Sequence, residues 1–377
     1  MSEPRISMVE HFGQIEDPRV GPALLHKLID ILVIALCGVI SGADSWVEIE
    51  AFGQAKEGWL RSILELPNGI PSHDTFGRVF ALLDPEQFSA SLVQWTQAVS
   101  TITRGQVIAI DGKVVRRSHD RRLGQKAIHM VSAWATENQL SLGQVKTDDK
   151  SNEITAIPEL LGLLDISGCV VTIDAMGCQR EIADQIIDQG ADYVLAVKEN
   201  QKGLYHRIQQ FFGYGQATSF RHLDHDYFEK SGKDHGRQEK RQCWALAASE
   251  WRFFLDHEAR WPHLQTIIQI RAHRSIDGIT TEETRYYISS LGADAKQLLQ
   301  AVRSHWGIEN SMHWVLDVAF REDESRVRTG HAPQNLSLLR RLAADLLRHE
   351  KTAKCGIKAR RMKAGWDTAY LLKVLGG

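Results

Sequence analysis

The sequence Val107-Ile108-Ala109-Ile110-Asp111 is a run of apolar and β-branched residues that ends in a carboxylate, the pattern of a buried β-strand. A second run, Val170-Val171-Thr172-Ile173, ends in the same way at Asp174. A buried strand that ends in an acidic residue carries its carboxylate to the rim of a sheet, so two neighbouring strands would bring two carboxylates together. The pattern predicts an acidic pocket. A single aspartate after a strand is, however, more often a turn former or a helix cap.

A third acidic residue, Glu309, lies in Trp306-Gly307-Ile308-Glu309-Asn310, at the start of a stretch with helical periodicity. A helix facing the two strand ends would complete an oxygen-rich pocket of the kind that Mg²⁺ prefers. Two such ions ~4 Å apart can hold the attacking and leaving oxygens of a phosphodiester. Asp111, Asp174 and Glu309 are therefore the candidate catalytic and metal-binding residues of a phosphoryl-transfer site.

Composition sets broad limits. A chain of 377 residues exceeds one ordinary domain, and contents of 43% hydrophobic and 24% charged residues are typical of soluble globular proteins. The five cysteines are scattered without C-x-x-C spacing, which disfavours a disulfide framework or a zinc knuckle. The first residues lack a signal-peptide pattern, and the longest apolar run, residues 31–40, is shorter than the ~20 residues of a membrane span. We expect a cytoplasmic protein with no membrane partner.

The net charge of −2 conceals an uneven distribution. Residues 1–100 hold 6 Lys and Arg against 13 Asp and Glu, a balance of −7. Residues 320–377 hold 13 Lys and Arg against 6 Asp and Glu, a balance of +7. This asymmetry predicts a face that binds a polyanion near the C-terminus.

Residues 1–100 show helical periodicity, interrupted at Pro67-Asn68-Gly69-Ile70-Pro71. Ser72 is placed to cap a further helix, and another is predicted from Phe88 to Ile102. We therefore predict an all-helical N-terminal domain. A helix–turn–helix within residues 67–83 is conceivable, but the acidic balance disfavours strong phosphate binding. A structural or regulatory role and DNA binding both stay open for this domain.

From Val107 the periodicity changes to that of strands. The order β-β-β-α-β-α-β predicts an α/β fold with a mixed sheet and helices on its faces. Residues 200–290 are irregular and predict a β-rich insertion before the last helical section. The predicted strands are 107–115, 128–136, 140–146, 169–174 and 192–198, with 241–246, 266–271 and 283–289 in the insertion; the predicted core helices are 153–164 and 181–189.

Two basic segments are candidates for phosphate contact. One directly follows Asp111 and consists of Lys113, Arg116, Arg117, Arg121, Arg122 and Lys126. The other lies in residues 351–377 and consists of Lys354, Lys358, Arg360, Arg361 and Lys363. Cations beside a carboxylate site would neutralise phosphates that the carboxylates repel. The alternatives are a solvated hairpin for the first segment and a solvated tail for the second.

Several motifs carry a family resemblance. They are Ala109-Ile110-Asp111-Gly112-Lys113, Lys150-Ser151-Asn152-Glu153-Ile154, Thr172-Ile173-Asp174-Ala175-Met176, Lys198-Glu199-Asn200-Gln201, His235-Gly236-Arg237, His305-Trp306-Gly307-Ile308-Glu309-Asn310 and Leu316-Asp317-Val318-Ala319-Phe320-Arg321-Glu322-Asp323. With these motifs the chain resembles the H-repeat-associated transposases of bacterial insertion sequences. The resemblance runs in order from about residue 10 to the C-terminus.

The resemblance implies a ribonuclease H-like DDE catalytic domain over residues 101–350, with the insertion at about 200–290. It implies that residues 1–100 are the accessory domain and that 351–377 form a basic C-terminal segment. The implied reaction is metal-dependent cleavage at the ends of the element, which frees a 3′-OH, followed by attack of that 3′-OH on target DNA. The implied cofactor is Mg²⁺ or Mn²⁺, as two ions. The implied partners are double-stranded DNA of the bacterial nucleoid and a second copy of the chain in a synaptic complex.

Related cut-and-paste transposases carry a Tyr, Arg, Glu, Lys signature around the catalytic glutamate. This chain keeps the glutamate but has Val302, His305 and Leu316 at the other positions. Arg303 and His305 are our candidates for the missing phosphate contacts, and Lys198 is a further DNA-binding candidate in one of the matching motifs. His305 could also be a wall residue. A cleavage-only nuclease and a silent DNA-binding repressor remain as alternative functions.

Overall fold

The computed structural model describes residues 11–21, 24–99, 104–119, 126–147, 153–234, 237–249, 251–255, 261–276 and 279–376. The predicted contacts of Arg121 and Arg122 and the motif residues Lys150–Asn152 and His235-Gly236 therefore lie outside the described residues. Within the described ranges, no helix has the length and apolar character needed to cross a membrane.

The described helices are α1 (Leu28–Ile40), α2 (Trp46–Leu60), α3 (His73–Leu82), α4 (Pro85–Val99), α5 (Glu153–Gly162), α6 (Arg180–Asp188), α7 (Lys202–Ala217), α8 (Arg252–Leu255), α9 (Ala295–Gly307), α10 (Trp314–Phe320), α11 (Ala332–His349), α12 (Ile357–Trp366) and α13 (Thr368–Val374). Local sequence explains several starts. Ser45 and Glu48 form a reciprocal capping box at α2, and the Ser72 hydroxyl accepts the Thr75 N–H at α3. Helix α1 is buried on nearly all sides because it is apolar around its whole circumference.

The N-terminal helices do not have a core of their own. Apolar residues of α1–α4 form one continuous cluster with those of α10–α13 and with Ala109 and Trp134 of the sheet. Helix α11 lies at the centre of this cluster and packs on α1, α3 and α4. The Asn335 side chain, on α11, donates hydrogen bonds to the backbone carbonyls of Phe80 and Leu83. The helices of residues 1–100 and the C-terminal helices therefore share one core.

One mixed sheet of nine described strands runs through the molecule in the order β3-β2-β1-β4-β5-β9-β8-β7-β6. Strands β1, β4 and β5 are parallel to one another, and β2 pairs antiparallel with both β1 and β3. The strands are β1 (Val107–Val114), β2 (His129–Ala135), β3 (Leu140–Lys146), β4 (Val170–Ile173), β5 (Asp192–Val197), β6 (His225–Asp234), β7 (Arg237–Ala247), β8 (Thr266–Ile276) and β9 (Ile279–Ser289).

The β-rich segment expected as an insertion extends this sheet. Its last strand, β9, pairs antiparallel with β5, so that Val194 lies opposite Ser289. Three of its four strands coincide with predicted ones, whereas β6 was not predicted. Strand β6 lies at the edge of the sheet and carries many charged residues, which is how natural proteins keep edges from pairing further.

The segment that carries Glu309 is an interrupted helix. Helix α9 begins at the cap residue Asp294, whose carboxylate accepts the Gln297 N–H, and continues through a π-helix, Ile308–His313, into α10. A π-helix inserted into an α-helix shifts the positions of the following side chains and is frequent at functional sites. Helical periodicity in the sequence indicated a helix here but did not indicate the π-helix within it.

Candidate active site

Strand pairing places the two aspartates on neighbouring strands, with Asp111 inside β1 and Asp174 directly after β4. Strands β1 and β4 are adjacent and parallel, with Ile110 paired to Ile173, so Asp111 and Asp174 follow directly after paired residues. One carboxylate oxygen of Asp174, Oδ1, also accepts the backbone N–H of Met176 at 2.9 Å. Asp174 thus forms the turn that the simpler interpretation predicted, and this turn fixes its carboxylate beside β1.

Asp111 lies in a strongly acidic environment. Its side chain is 17% exposed, and burial, together with the negative charges of Glu153, Asp174 and Glu309, raises its pKa to about 7. The N–H of Gly112 acts in the opposite direction. The three predicted carboxylates therefore interact electrostatically, together with a fourth that was not predicted.

The donor chemistry of this cluster suits a hard divalent cation. Carboxylate oxygens are the ligands of Mg²⁺ and Mn²⁺, and a cation would relieve the mutual repulsion that raises the pKa of Asp111. In the described parts of the chain, however, no group of three or more His, Cys, Asp or Glu side chains is arranged closely enough to hold a metal ion. The carboxylates are brought near one another without forming a ready-made coordination sphere.

Two histidines from the interrupted helix line the same region. His305 Nδ1 lies 3.1 Å from the hydroxyl of Thr172, one strand position from Ile173, and burial lowers the pKa of His305. His313 Nδ1 lies 3.5 Å from Asp111 Oδ2, and burial, followed by the charges of Arg341 and Lys113, lowers its pKa to about 3. His313 is therefore neutral near pH 7. Its contact with Asp111 is too long for a strong hydrogen bond.

Lys113 has a different role from the predicted phosphate contact. Its side chain is 8% exposed, and its ammonium lies 2.7 Å from Asp317, 3.1 Å from Glu322 and 3.3 Å from Asp323. Glu322 is itself fully buried and pairs with Arg341 at 3.3 Å. The charge of Lys113 is thus neutralised inside the protein, where it ties β1 to the chain that follows α10.

Other predicted DNA contacts lie on the surface. Arg116 is 79% exposed and pairs with Asp323 at 3.2 Å, while Arg117, Lys198 and Arg303 are exposed. The backbone carbonyl of Arg117 accepts a hydrogen bond from Arg328, so the segment after β1 is attached to the segment after α10. Lys126 is exposed too. These cations are placed where a polyanion could reach them.

The C-terminal segment is not a solvated tail. Arg361 is buried, where it donates to the carbonyls of Val39 and Ala43 and pairs with Asp44 at 2.9 Å. Arg360 donates to backbone carbonyls near the end of α11, and Lys363 lies over the Tyr370 ring at 4.3 Å. Arg340, Arg341 and Arg348 are buried as well. Much of the +7 balance is therefore structural, which corrects our assignment of Arg361 to the DNA surface.

Sequence reasoning missed Glu153 and its partner His129. Glu153 opens α5, and its Oε1 lies 2.9 Å from His129 Nε2 on β2. A glutamate in the first turn of a helix is ordinary, because it interacts favourably with the helix dipole. The motif that contains Glu153 marked the family but gave no sign that the side chain pairs with His129 beside Gly112.

Comparison with known protein families shows to which family the chain belongs. Residues 102–346 match the transposase DDE domain family, and residues 9–96 match the DDE_Tnp_1-associated family. The chain therefore belongs to the transposases that carry a DDE domain. Within that class it is similar to the H repeat-associated proteins, as our resemblance predicted.

Several relatives cover almost the whole chain, among them two named as transposases. "Putative transposase YncI" of Escherichia coli O157:H7 is 43% identical over 375 residues, which is 98% of this chain and 94% of that protein. "H repeat-associated putative transposase YhhI" of Escherichia coli K12 is 39% identical over 374 residues, 98% of each. Among solved structures, the piggyBac transposase in its synaptic complex with hairpin DNA matches with a TM-score of 0.42 and 12% identity, over 99% of this chain and 79% of that one.

Proposed function

We propose that this protein is a DNA transposase that cleaves phosphodiester bonds at the ends of an insertion sequence and joins the freed 3′-OH to target DNA. Asp111, Asp174 and Glu309 are the proposed catalytic residues. The observation that carries the proposal is the adjacency of β1 and β4, which places Asp111 and Asp174 directly after the paired residues Ile110 and Ile173, with Glu309 acting electrostatically on Asp111.

In this proposal the three carboxylates hold two Mg²⁺ or Mn²⁺ ions. Bound there, the ions would supply Lewis-acid activation of the nucleophile and of the scissile phosphate. Other contacts within the protein restrict the positions of these carboxylates. The turn at Asp174 fixes the position of one carboxylate. The ion pairs of Lys113 with Asp317 and Glu322 attach β1 to α10 and to the segment that follows it. Neutral His313 adds no positive charge that would compete with a cation for Asp111.

We also propose a ribonuclease H-like core. The order β3-β2-β1-β4-β5, with β2 antiparallel and β1, β4 and β5 parallel, supports this assignment. Double-stranded DNA is the proposed partner, bound as a synaptic complex of two copies of the chain in the bacterial nucleoid. Arg116, Arg117, Lys198 and Arg303 are the described cations proposed to contact phosphates, with His305 nearest the strand ends.

A strand-transfer assay tests the proposal. The purified chain is incubated with a labelled duplex that carries the genomic sequence flanking its gene, a supercoiled target plasmid and Mg²⁺ or Mn²⁺. A transposase yields joined products, a nuclease yields nicks only, and a silent DNA-binding protein yields a gel shift only. The last two outcomes would overturn strand transfer and favour one of the alternative functions.

Asp174→Asn removes one of the proposed catalytic carboxylates and serves as the test variant. It should abolish cleavage and joining while DNA binding is retained, because the carboxylate is a proposed metal ligand rather than a phosphate contact. Asp184→Asn is the control, since Asp184 is an exposed aspartate of α6 outside the acidic cluster. Cleavage by Asp174→Asn at the wild-type rate would refute the proposed site.

A further inference from the structure

A cavity of about 990 Å³ lies between the N-terminal helices and the α10–α11 connection, residues 321–331. Helices α2 and α3 form one wall, and residues 324–329 form the other. The connection is attached to α3, because the His331 N–H donates to the carbonyl of Ala81, and Gly330 permits this approach, since a Cβ atom there would lie 2.6 Å from that carbonyl oxygen. The cavity is as large as a ligand site, and its described lining includes none of the proposed catalytic carboxylates.

The interior of the cavity has an apolar surface that contains an aromatic ring. Trp46 packs on Phe80, with 4.9 Å between ring centroids, but it is only partly buried and lines the cavity. Val47 and Leu82 line the cavity as well and are 60% and 56% exposed. Exposed aliphatic side chains beside an indole ring suit a planar, largely apolar group such as a nucleobase.

The arginines of the cavity keep their positive charge available. Arg78 and Arg326 are exposed, and Arg328 is half-buried. The Nε atom of Arg78 donates to the carbonyl of Asp74 at 3.3 Å, and the Nε atom of Arg328 donates to the carbonyl of Arg117 at 3.2 Å. A carbonyl oxygen holds a guanidinium in place without neutralising it, so these side chains can still attract an anion.

Most of the acidic residues that line the cavity are engaged within the protein. Asp74 is the exception, because it lies exposed in the first turn of α3. The other three have partners: Asp44 pairs with Arg361 at 2.9 Å, Glu48 accepts the N–H groups of Asp44 and Ser45, and Glu324 pairs with Arg321. The cations that stay available in the cavity therefore exceed the anions, which favours an anionic ligand over a neutral or acidic protein segment.

We propose that this cavity binds a short single-stranded segment of DNA, with bases against Trp46, Val47 and Leu82 and phosphates on Arg78 and Arg326. The inference rests on the proposed function, since it takes DNA to be the substrate. Proteins bind single strands by combining a positively charged surface with aromatic side chains on which bases stack. A duplex keeps its bases stacked inside, so it would contact only the arginines.

Fluorescence anisotropy of a labelled oligo(dT) of about eight nucleotides, with the full chain in EDTA, tests this proposal independently of the carboxylate site. Trp46→Leu keeps an apolar side chain on Phe80 but removes the stacking surface. It should weaken oligonucleotide binding by about 5–150-fold, the loss typical of one stacked base, and leave binding of a blunt duplex unchanged. Val47→Asp should weaken oligonucleotide binding too, since it adds a negative charge to the cavity at a helix start that tolerates aspartate.

Salt dependence tests the phosphate contacts. Arg78→Ala with Arg326→Ala should flatten the slope of log affinity against log salt for the oligonucleotide by about 1.4, which is ~0.7 for each contact with a single strand. Two controls should bind the oligonucleotide like the wild type. Arg221→Ala removes an exposed arginine outside the cavity, and Ala55→Asp adds a negative charge at an exposed position of α2 that does not line it. Circular dichroism confirms that each variant is folded.

Wild-type affinity for the oligonucleotide in both Trp46→Leu and Val47→Asp would overturn the proposal. Equal losses for the oligonucleotide and the duplex would overturn it as well, since the cavity would then be a surface for duplex phosphates. A wild-type protein that does not bind the oligonucleotide would leave a protein segment as the occupant.

The strand-transfer assay separates this inference from the proposed function. Joined products without oligonucleotide binding in the cavity would overturn this inference alone. Oligonucleotide binding that the cavity variants weaken, without joined products, would support the cavity as a single-strand site and overturn strand transfer.

Discussion

Asp111→Asn should stabilise the metal-free protein at alkaline pH while it removes a proposed catalytic carboxylate. Burial and three acidic neighbours raise the pKa of Asp111 from 3.8 to about 7. A carboxyl whose pKa is higher in the folded state binds more protons there than in the unfolded state. Stability is therefore lost as the pH rises from the unfolded pKa through the folded one. Asparagine cannot ionise, so the variant escapes this loss.

The magnitude follows from the shift. A rise of roughly 3 pKa units corresponds to about 4 kcal/mol once Asp111 is fully ionised. Below about pH 4 the carboxyl is protonated in both states and the penalty vanishes. For a chain of this size, that difference corresponds to a shift of about 5–10 °C in the midpoint of thermal unfolding.

Differential scanning calorimetry in EDTA, between about pH 5 and pH 8, measures this difference. The wild-type Tm should fall more steeply with pH than that of Asp111→Asn, and Mg²⁺ should recover more of the loss in the wild type. Asp184→Asn, the exposed control, should follow the wild type. Parallel pH dependences for the wild type and Asp111→Asn would refute the acidic-cluster account.

Further predictions concern the surrounding structure. Lys113→Met should lower the free energy of unfolding by about 3–5 kcal/mol, because it leaves the buried Glu322 and its acidic neighbours uncompensated. Arg116→Met should lower the free energy of unfolding by only about 0–1 kcal/mol. Equal denaturant midpoints for the two variants would contradict this difference. Arg116→Ala with Arg117→Ala should flatten the slope of log affinity against log salt by ~0.9 for each lost phosphate contact. Arg361→Met should lower Tm without changing that slope, because Arg361 is buried. An unchanged slope in the Arg116→Ala, Arg117→Ala variant would mean that the segment after β1 is solvated and does not contact DNA. Removal of residues 1–100 should leave the remaining chain insoluble, because α11 loses the helices that cover it; a soluble, folded remainder would contradict the shared core.

Much of the fold could be predicted because local signals and the final structure agree. Strands β1 and β4 are short apolar runs that only a buried sheet can satisfy. Ser72 marked a helix start through its own side chain. Strand β6 was missed because an exposed edge strand does not need an apolar pattern. The π-helix at Glu309 was missed because one extra residue per turn barely disturbs helical periodicity.

The site was only partly predictable, since charge in a sequence does not reveal burial. Asp111 and Asp174 were located from the ends of apolar runs, which are local features, although β1 continues past Asp111 to Val114. Lys113 and Arg361 look like phosphate ligands in the sequence, yet each neutralises acidic groups brought from far along the chain. Glu153 was missed for the same reason, because its position beside Gly112 and His129 depends on how α5 packs on the sheet.

Asp174→Cys, with cleavage compared in Mg²⁺ and in Mn²⁺, shows whether Asp174 is a metal ligand in DNA cleavage. A thiolate is a poor ligand for Mg²⁺ and a better one for softer transition metals. We predict no cleavage of end-bearing DNA in Mg²⁺ and a recovery of at least about 10-fold in Mn²⁺, with Asp174→Ala inactive in both. Cleavage by Asp174→Cys in Mg²⁺ at the wild-type rate, or equal recovery of Asp174→Ala in Mn²⁺, would contradict the account.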